Sequence, residues 1–236
     1  GLTVERLKNR DRLLQEIDQS FREAESSDPR SVGLDEFGRK AQEMILSEKS
    51  RLAFDVGREA PAIQKLFGPH PASQSLLLAS RLVESGVRFV TVTHDGWDTH
   101  LDNFSSQKDK LLPAFDASLS ALIQALELKG LLDRVLVVAT GEFGRTPSIN
   151  KNAGRDHWPQ TMWTLVAGGG TKRAHFIGGT DAKGHRPNDD TRMKPDDLAA
   201  TILHALGIDP MKEYFTRTGR PVLLTPEGTV IRDLFV

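Results

Sequence analysis

The order of strand and helix patterns between residues 87 and 139 constrains the fold more than any other feature. Residues 87–93 (VRFVTVT) alternate and are rich in β-branched side chains, which is typical of a strand. An apolar stripe over residues 112–126 predicts a helix that Gly130 ends. Residues 135–139 (VLVVA) predict a second strand, buried on both faces. A strand, a helix and a strand in this order form a βαβ unit, which predicts a parallel sheet.

The rest of the chain predicts elements that surround this unit. We expect one α/β domain over residues 1–236, with a mainly parallel sheet flanked by helices. Residues 1–72 would form a helical N-terminal region, and residues 73–236 would form the core that contains the sheet. The other predicted elements are helices over residues 3–24, 34–52, 73–85 and 195–206, a strand over 161–167 and extended pieces within 221–236.

The composition excludes several classes of function. A length of 236 residues is enough for one large domain with a sizeable core. The net charge of −1 provides no global basic field, so we expect no nucleic-acid partner. No apolar run approaches the roughly 20 residues that a membrane span needs. The absence of cysteine excludes disulfides, thiolate metal sites and cysteine nucleophiles.

Polar, glycine-containing loops follow both predicted strands. Residues 94–100 (HDGWDTH) come after the first strand, and residues 141–147 (GEFGRTP) come after the second. The carboxyl ends of parallel strands meet at one edge of a sheet, so we expect these loops to converge. A third polar segment, residues 154–158 (GRDHW), follows closely.

These loops carry the residue types that bind metal. Carboxylate oxygen and imidazole nitrogen together suit divalent ions, and we consider zinc, manganese, iron and calcium. The alternative is that each polar side chain caps a helix, holds a turn or faces solvent. The candidate ligands are Asp98, His100, Glu142, Asp156 and His157.

Arg145 and Arg155 are candidate anion-binding residues in the same loops. A guanidinium group matches phosphate and sulfate through two parallel hydrogen bonds. The alternative is a buried salt bridge to Glu142 or Asp156. We predict both arginines as candidate catalytic residues.

The motifs at these positions resemble a bacterial family called domain of unknown function 1501. That family is sulfatase-like and belongs near the alkaline phosphatase superfamily. The resemblance implies a central, mostly parallel sheet and one or two divalent metals that cleave phosphate or sulfate esters. It is carried by residues 82–90, 97–100, 141–147, 154–159 and 197–208.

The resemblance also implies roles for particular positions. The loop with Asp98 and His100 would be one ligand loop, and Asp156 with His157 a further one, with His157 the stronger candidate. Glu142 stands where the superfamily commonly has an Asp-His pair, which is a departure from its pattern. Family members carry an upstream portion with a first core strand, so this chain would be a fragment or a shortened member. Relatives often carry an export signal upstream, which implies an extracytoplasmic location.

These observations lead to one main expectation and two alternatives. The main expectation is a metal-dependent hydrolase of sulfate or phosphate esters, in which Arg145 or Arg155 neutralises the anion. Its substrate would be a small anionic ester or a sulfated or phosphorylated glycan. Neither Thr99 nor Thr146 matches a superfamily nucleophile position, so no nucleophile is assigned. The alternatives are a non-catalytic anion- or carbohydrate-binding relative and a structural or interaction protein.

Overall fold

The computed structural model describes residues 47–188 and 193–236, together with residues 3, 5, 6, 9, 12, 37–41, 43 and 44. The described residues form a mixed α/β fold with six α-helices and three two-stranded sheets. The helices are α1 (Glu48–Phe54), α2 (Pro61–Phe67), α3 (Pro71–Glu84), α4 (Asn103–Ser106), α5 (Leu112–Leu128) and α6 (Pro195–Ala205). The strands are β1 (Leu136–Thr140), β2 (Gly144–Arg145), β3 (His157–Trp158), β4 (Thr164–Gly168), β5 (Glu213–Phe215) and β6 (Pro221–Leu223).

The hydrophobic core is helical. Side chains of α2, α3 and α5 form one buried cluster, in which Leu77 and Leu126 are each only 1% exposed. Burying a leucine side chain of this kind stabilises a fold by about 1.5–3 kcal/mol. The helix α5 ends where the chain reaches Gly130, whose φ of 65° is the left-handed conformation that glycine adopts most easily. Side chains of β1 and β4 pack against this cluster, so the sheet rests on the helices.

The stretch Asn103–Leu128 is the only described part of the chain that is long and apolar enough to cross a membrane, judged by length and composition. One such helix is weak evidence for a membrane span, because core helices of soluble proteins meet the same criteria. Here Leu119, Leu122 and Leu126 of this stretch belong to the buried cluster.

The predicted parallel sheet is wrong for the part of the chain that the structure describes. Strand β1 pairs antiparallel with β4, with Leu136 opposite Gly168 and Thr140 opposite Thr164. Residues 87–93 form no strand ladder, so the predicted βαβ unit lacks its first strand. The partner of β1 is therefore β4, which comes later in the chain, and not the predicted strand that precedes β1. The described fold is therefore mixed α/β with antiparallel pairs, rather than an alkaline-phosphatase-like parallel sheet.

Several other predicted elements are confirmed with shifted bounds. The helix predicted over residues 73–85 is α3, and the helix predicted over 195–206 is α6. The strand predicted over 161–167 is β4. The helix predicted over 34–52 is interrupted at Ser47, whose hydroxyl accepts a hydrogen bond from the Ser50 N–H and starts α1. Most of the helix predicted over 3–24 lies outside the described residues.

Candidate metal centre

The first ligand loop is anchored by Thr99. This side chain is only 6% exposed, and its hydroxyl donates a 2.5 Å hydrogen bond to the equally buried amide oxygen of Asn103. The backbone turns tightly here, because the Thr99 N–H donates to the carbonyl of Trp97 and the His100 N–H donates to the carbonyl of Asp98. The side chains on either side of Thr99 are more exposed, and the His100 Nε2 lies 3.0 Å from the Asp98 Oδ1. Asp98 and His100 therefore project on the same side, which gives the Asp-x-His spacing its structural meaning.

The second ligand loop is a hairpin in which residues 146–156 connect two short strands. Strands β2 and β3 pair antiparallel, with Arg145 opposite His157. The Thr146 N–H donates to the carbonyl of Asp156 over 2.9 Å, and the Asp156 N–H donates back to the Thr146 hydroxyl over 3.1 Å. These bonds fix the direction of the backbone at Asp156 and His157.

Backbone contacts bring the two loops together. The Arg155 N–H donates to the carbonyl of Thr99 over 3.1 Å. Gly154 approaches the first loop so closely that a β-carbon there would lie 1.9 Å from the carbonyl oxygen of His100. The predicted convergence of residues 94–100 with residues 141–147 is seen in the hydrogen bond from Arg145 to Asp98. Contacts between the loops produce it, and the expected parallel sheet does not.

Three of the predicted ligands meet at one point. The His157 Nε2 lies 2.8 Å from the Asp98 Oδ1, and the His100 Nε2 lies 3.0 Å from the same oxygen. The two Nε2 atoms are 3.1 Å apart. One carboxylate oxygen and two imidazole nitrogens therefore form a compact triangle that could hold a metal ion. The side chains are 40–66% exposed, so one side of the triangle is open to solvent.

Asp156 contacts this triangle from behind. Its Oδ1 lies 2.8 Å from the Nδ1 of His100. An ionised carboxylate only accepts hydrogen bonds, so the imidazole carries its hydrogen on Nδ1. The Nε2 of His100 then presents a lone pair to the triangle, which is the arrangement of a metal-binding histidine. Asp156 was predicted as a ligand, but its oxygen lies on the far side of the His100 ring.

The electrostatics of the site keep both carboxylates ionised. Hydrogen bonds from His157 and then from Arg145 lower the pKa of Asp98 to about 2. Hydrogen bonds from His100 and then from Asn150 lower the pKa of Asp156. Both groups therefore stay negative over the whole range of pH in which a divalent cation would bind.

Arg145 and Arg155 are both engaged by the protein. Arg145 donates to the Oδ1 of Asp98 over 2.5 Å and to the carbonyls of Trp97 and Arg155, each over 3.2 Å. Arg155 donates to the carbonyls of Thr146 and Pro147 over 2.7 and 3.0 Å. The predicted anion-binding guanidinium groups thus hold the ligand loops in this structure, and Arg145 contacts a ligand directly.

The exposed carboxylate of Glu142 is not a member of the triangle. Its neighbour Phe143 is closer to the site, since its ring centroid lies 4.3 Å from that of His157. The sequence patterns did not indicate Phe143, nor Asn103 and Asn150, whose side chains hold the two loops. The signal that could have indicated Asn150 is its place in the polar turn 150–154 (NKNAG), because an asparagine side chain there readily bonds the backbone N–H two residues on.

Comparison with known proteins gives one match. The family model for "Protein of unknown function (DUF1501)" matches residues 1–235. No curated protein and no solved structure matches the chain.

Proposed function

The chain belongs to the DUF1501 family of proteins of unknown function, and from this premise we propose that it is a metal-dependent hydrolase of sulfate or phosphate esters. The observation that carries the proposal is the triangle of Asp98, His100 and His157, whose ligand atoms lie 2.8–3.1 Å apart. Three protein ligands with an open side are typical of a catalytic metal site, whereas structural sites are usually closed by four.

The donor set favours particular metals. Two imidazole nitrogens and one carboxylate oxygen suit zinc, iron and manganese. Calcium, which prefers six to eight oxygen ligands, fits this set poorly. We therefore propose zinc, iron or manganese and give calcium the lowest rank.

The charge of the site suits an anionic substrate. One carboxylate ligand against a divalent cation leaves the centre with a net positive charge. When bound, the cation would supply Lewis acidity toward an ester oxygen and toward the attacking water. Hydrolysis joins the water oxygen to sulfur or phosphorus and breaks the bond from that atom to the ester oxygen. One hydrogen of the water passes to this oxygen to give the alcohol, and the other leaves with the sulfate or phosphate or as a free proton. A small anionic ester or a sulfated or phosphorylated glycan fits this reaction.

The chain's own residues prepare this centre. Arg145 holds the carboxylate of Asp98, and Asp156 holds the imidazole of His100. Asp98 stays ionised because the hydrogen bonds from His157 and Arg145 keep its pKa near 2. Such fixed dipoles and charges cost no reorganisation when charge develops on the substrate.

A second candidate function is a non-catalytic anion-binding relative. This function is favoured because the hydroxyls of the two threonines in the ligand loops, Thr99 and Thr146, both donate hydrogen bonds within the protein. Thr99 is buried and donates to Asn103, and Thr146 donates to the carbonyl of Ser148 over 2.8 Å. Neither hydroxyl is free to attack an ester, so catalysis would depend on water.

Metal content tests the proposal first. We expect near-stoichiometric zinc, iron or manganese, measured by plasma mass spectrometry after reconstitution and gel filtration. His157→Ala should lose the metal, because it removes one of the three ligands. His175→Ala is the matched control, since His175 pairs with Asp233 over 2.9 Å outside the triangle. Equal metal in both variants would reject the site.

Turnover then separates the two candidate functions. The metal-loaded protein should hydrolyse aryl sulfates or aryl phosphates, and His157→Ala should reduce the rate at least 100-fold. Metal binding without turnover of either ester class would favour the non-catalytic relative.

A further inference from the structure

We propose that Asn150 is the positioning residue of this centre, which orients His100 through Asp156. The inference deepens the proposed function and rests on the metal site described above. Asn150 is half-buried in the turn between β2 and β3. Its amide nitrogen donates to the carbonyl of His100 and to the Oδ1 of Asp156, each over 3.1 Å. Its amide oxygen accepts from the N–H groups of Asn152 and Gly154, each over 2.9 Å.

The two donor bonds join the two ligand loops. The carbonyl of His100 belongs to the first loop, and the carboxylate of Asp156 belongs to the second. The same Asp156 oxygen accepts both the Asn150 amide at 3.1 Å and the His100 Nδ1 at 2.8 Å. The Asp156 side chain is 55% exposed, so without the amide only the bond to the His100 Nδ1 would oppose its rotation toward water. Asn150 therefore keeps this oxygen where it fixes the tautomer and the direction of the His100 ring.

The two hydrogen bonds that the Asn150 amide oxygen accepts stabilise the turn. By accepting from Asn152 and Gly154, the amide oxygen shapes the turn that brings Gly154 against the backbone of His100. Aspartate could replace asparagine in this role, because it also has an oxygen acceptor. Only an amide can both accept these bonds and donate to Asp156, so the two roles can be separated by one substitution.

Zinc affinity of Asn150→Asp tests the inference. This isosteric change keeps the acceptor that shapes the turn and replaces the donor with a charged oxygen facing Asp156. Residues that orient metal ligands typically change affinity 10–100-fold when substituted, so we expect at least a 10-fold loss in a chelator competition titration. Asn152→Asp is the control, because it adds the same charge two residues away; we expect less than a 2-fold change. Equal zinc affinity in Asn150→Asp and the wild type would overturn the proposal.

A double-substitution cycle tests whether Asn150 acts through Asp156. If it does, Asn150→Asp should change zinc affinity less than 3-fold in an Asp156→Asn background, whereas independent effects would add. Full additivity would overturn the positioning role.

The metal-free protein provides a readout that does not depend on the proposed function. Imidazole ¹⁵N shifts at pH 8 should show His100 with its hydrogen on Nδ1 in the wild type and a mixture of tautomers in Asn150→Asp. If the wild type bound no zinc, the proposed function would fail. An unchanged tautomer in Asn150→Asp would reject the role of Asn150 alone.

Discussion

At the scale of single residues, hydrogen bonds fix the position and the ionised state of the Asp98 carboxylate. Asp98 accepts hydrogen bonds from His157 and from Arg145, and both keep it ionised. Arg145, which the sequence indicated as an anion-binding residue, contacts the candidate ligand Asp98 in the structure. A guanidinium in this position neutralises and orients a ligand carboxylate. It would stabilise a bound metal without contacting the substrate.

The first residue-scale prediction concerns pH. Asp98 has a pKa of about 2 in the folded protein, against about 3.9 in an unfolded chain. A lowered folded pKa stabilises the fold above the unfolded pKa, and this contribution disappears as the pH falls through the folded pKa. The metal-free wild type should therefore lose stability relative to Asp98→Asn as the pH falls from about 4 to about 2. Urea unfolding across this range measures the difference, and a difference independent of pH would contradict the assignment.

The second residue-scale prediction separates the two roles of Arg145. Arg145→Met removes the hydrogen bond to Asp98, so zinc affinity should fall about 10-fold. The Michaelis constant for an aryl sulfate, measured at saturating zinc, should change less than 3-fold. The reverse result, with unchanged zinc affinity and a raised Michaelis constant, would mean that Arg145 binds the anion.

At the scale of elements, the sequence predicted which side chains meet better than it predicted the fold that brings them together. The proximity of Asp98 and His100 could be predicted because only one residue separates them in the sequence, which is a local property. The antiparallel pairing of β1 with β4 could not, because ladder partners are chosen by contacts between distant segments. Glu142 was predicted from its place after a strand, and Asn150 was missed because its role depends on two loops meeting.

Gly154 gives the prediction at this scale. A β-carbon there would lie 1.9 Å from the His100 carbonyl oxygen, and backbone cannot yield as a flexible side chain can. Gly154→Ala should separate the loops, weaken zinc binding at least 10-fold and destabilise the fold by roughly 2 kcal/mol. Gly141→Ala is the matched control, since its β-carbon would meet its nearest neighbour at an ordinary 3.6 Å. Zinc titration and thermal unfolding of both variants check this, and similar behaviour of the two would contradict the close-contact argument.

At the scale of the whole molecule, the helical core and the candidate metal centre are stabilised by different contacts. A buried ion cluster ties the helices together: Glu59 accepts from Arg81 of α3 over 3.1 Å and from Lys129, at the end of α5, over 2.7 Å. Side-chain exposure of Glu59 is 8% and that of Lys129 is 9%. Burial alone would raise the pKa of Glu59, but the hydrogen bond from Lys129 and its other contacts outweigh burial and lower that pKa. None of these residues contacts the triangle of ligands in the described part of the chain.

This separation predicts that stability and metal binding can be changed independently. Lys129→Met leaves the Glu59 charge buried with one partner fewer, which should cost about 3 kcal/mol of unfolding free energy. Zinc stoichiometry at 20 °C should stay the same, because Asp98, His100 and His157 keep their contacts. The double variant Glu59→Gln/Lys129→Met should recover part of the loss, because it removes the uncompensated charge of Glu59. The recovery should stay incomplete, because Arg81, whose side chain is 12% exposed, then loses its carboxylate partner. Thermal unfolding and metal analysis of the three proteins decide the matter. Zinc loss in Lys129→Met below its melting temperature would mean that the core and the centre form one cooperative unit.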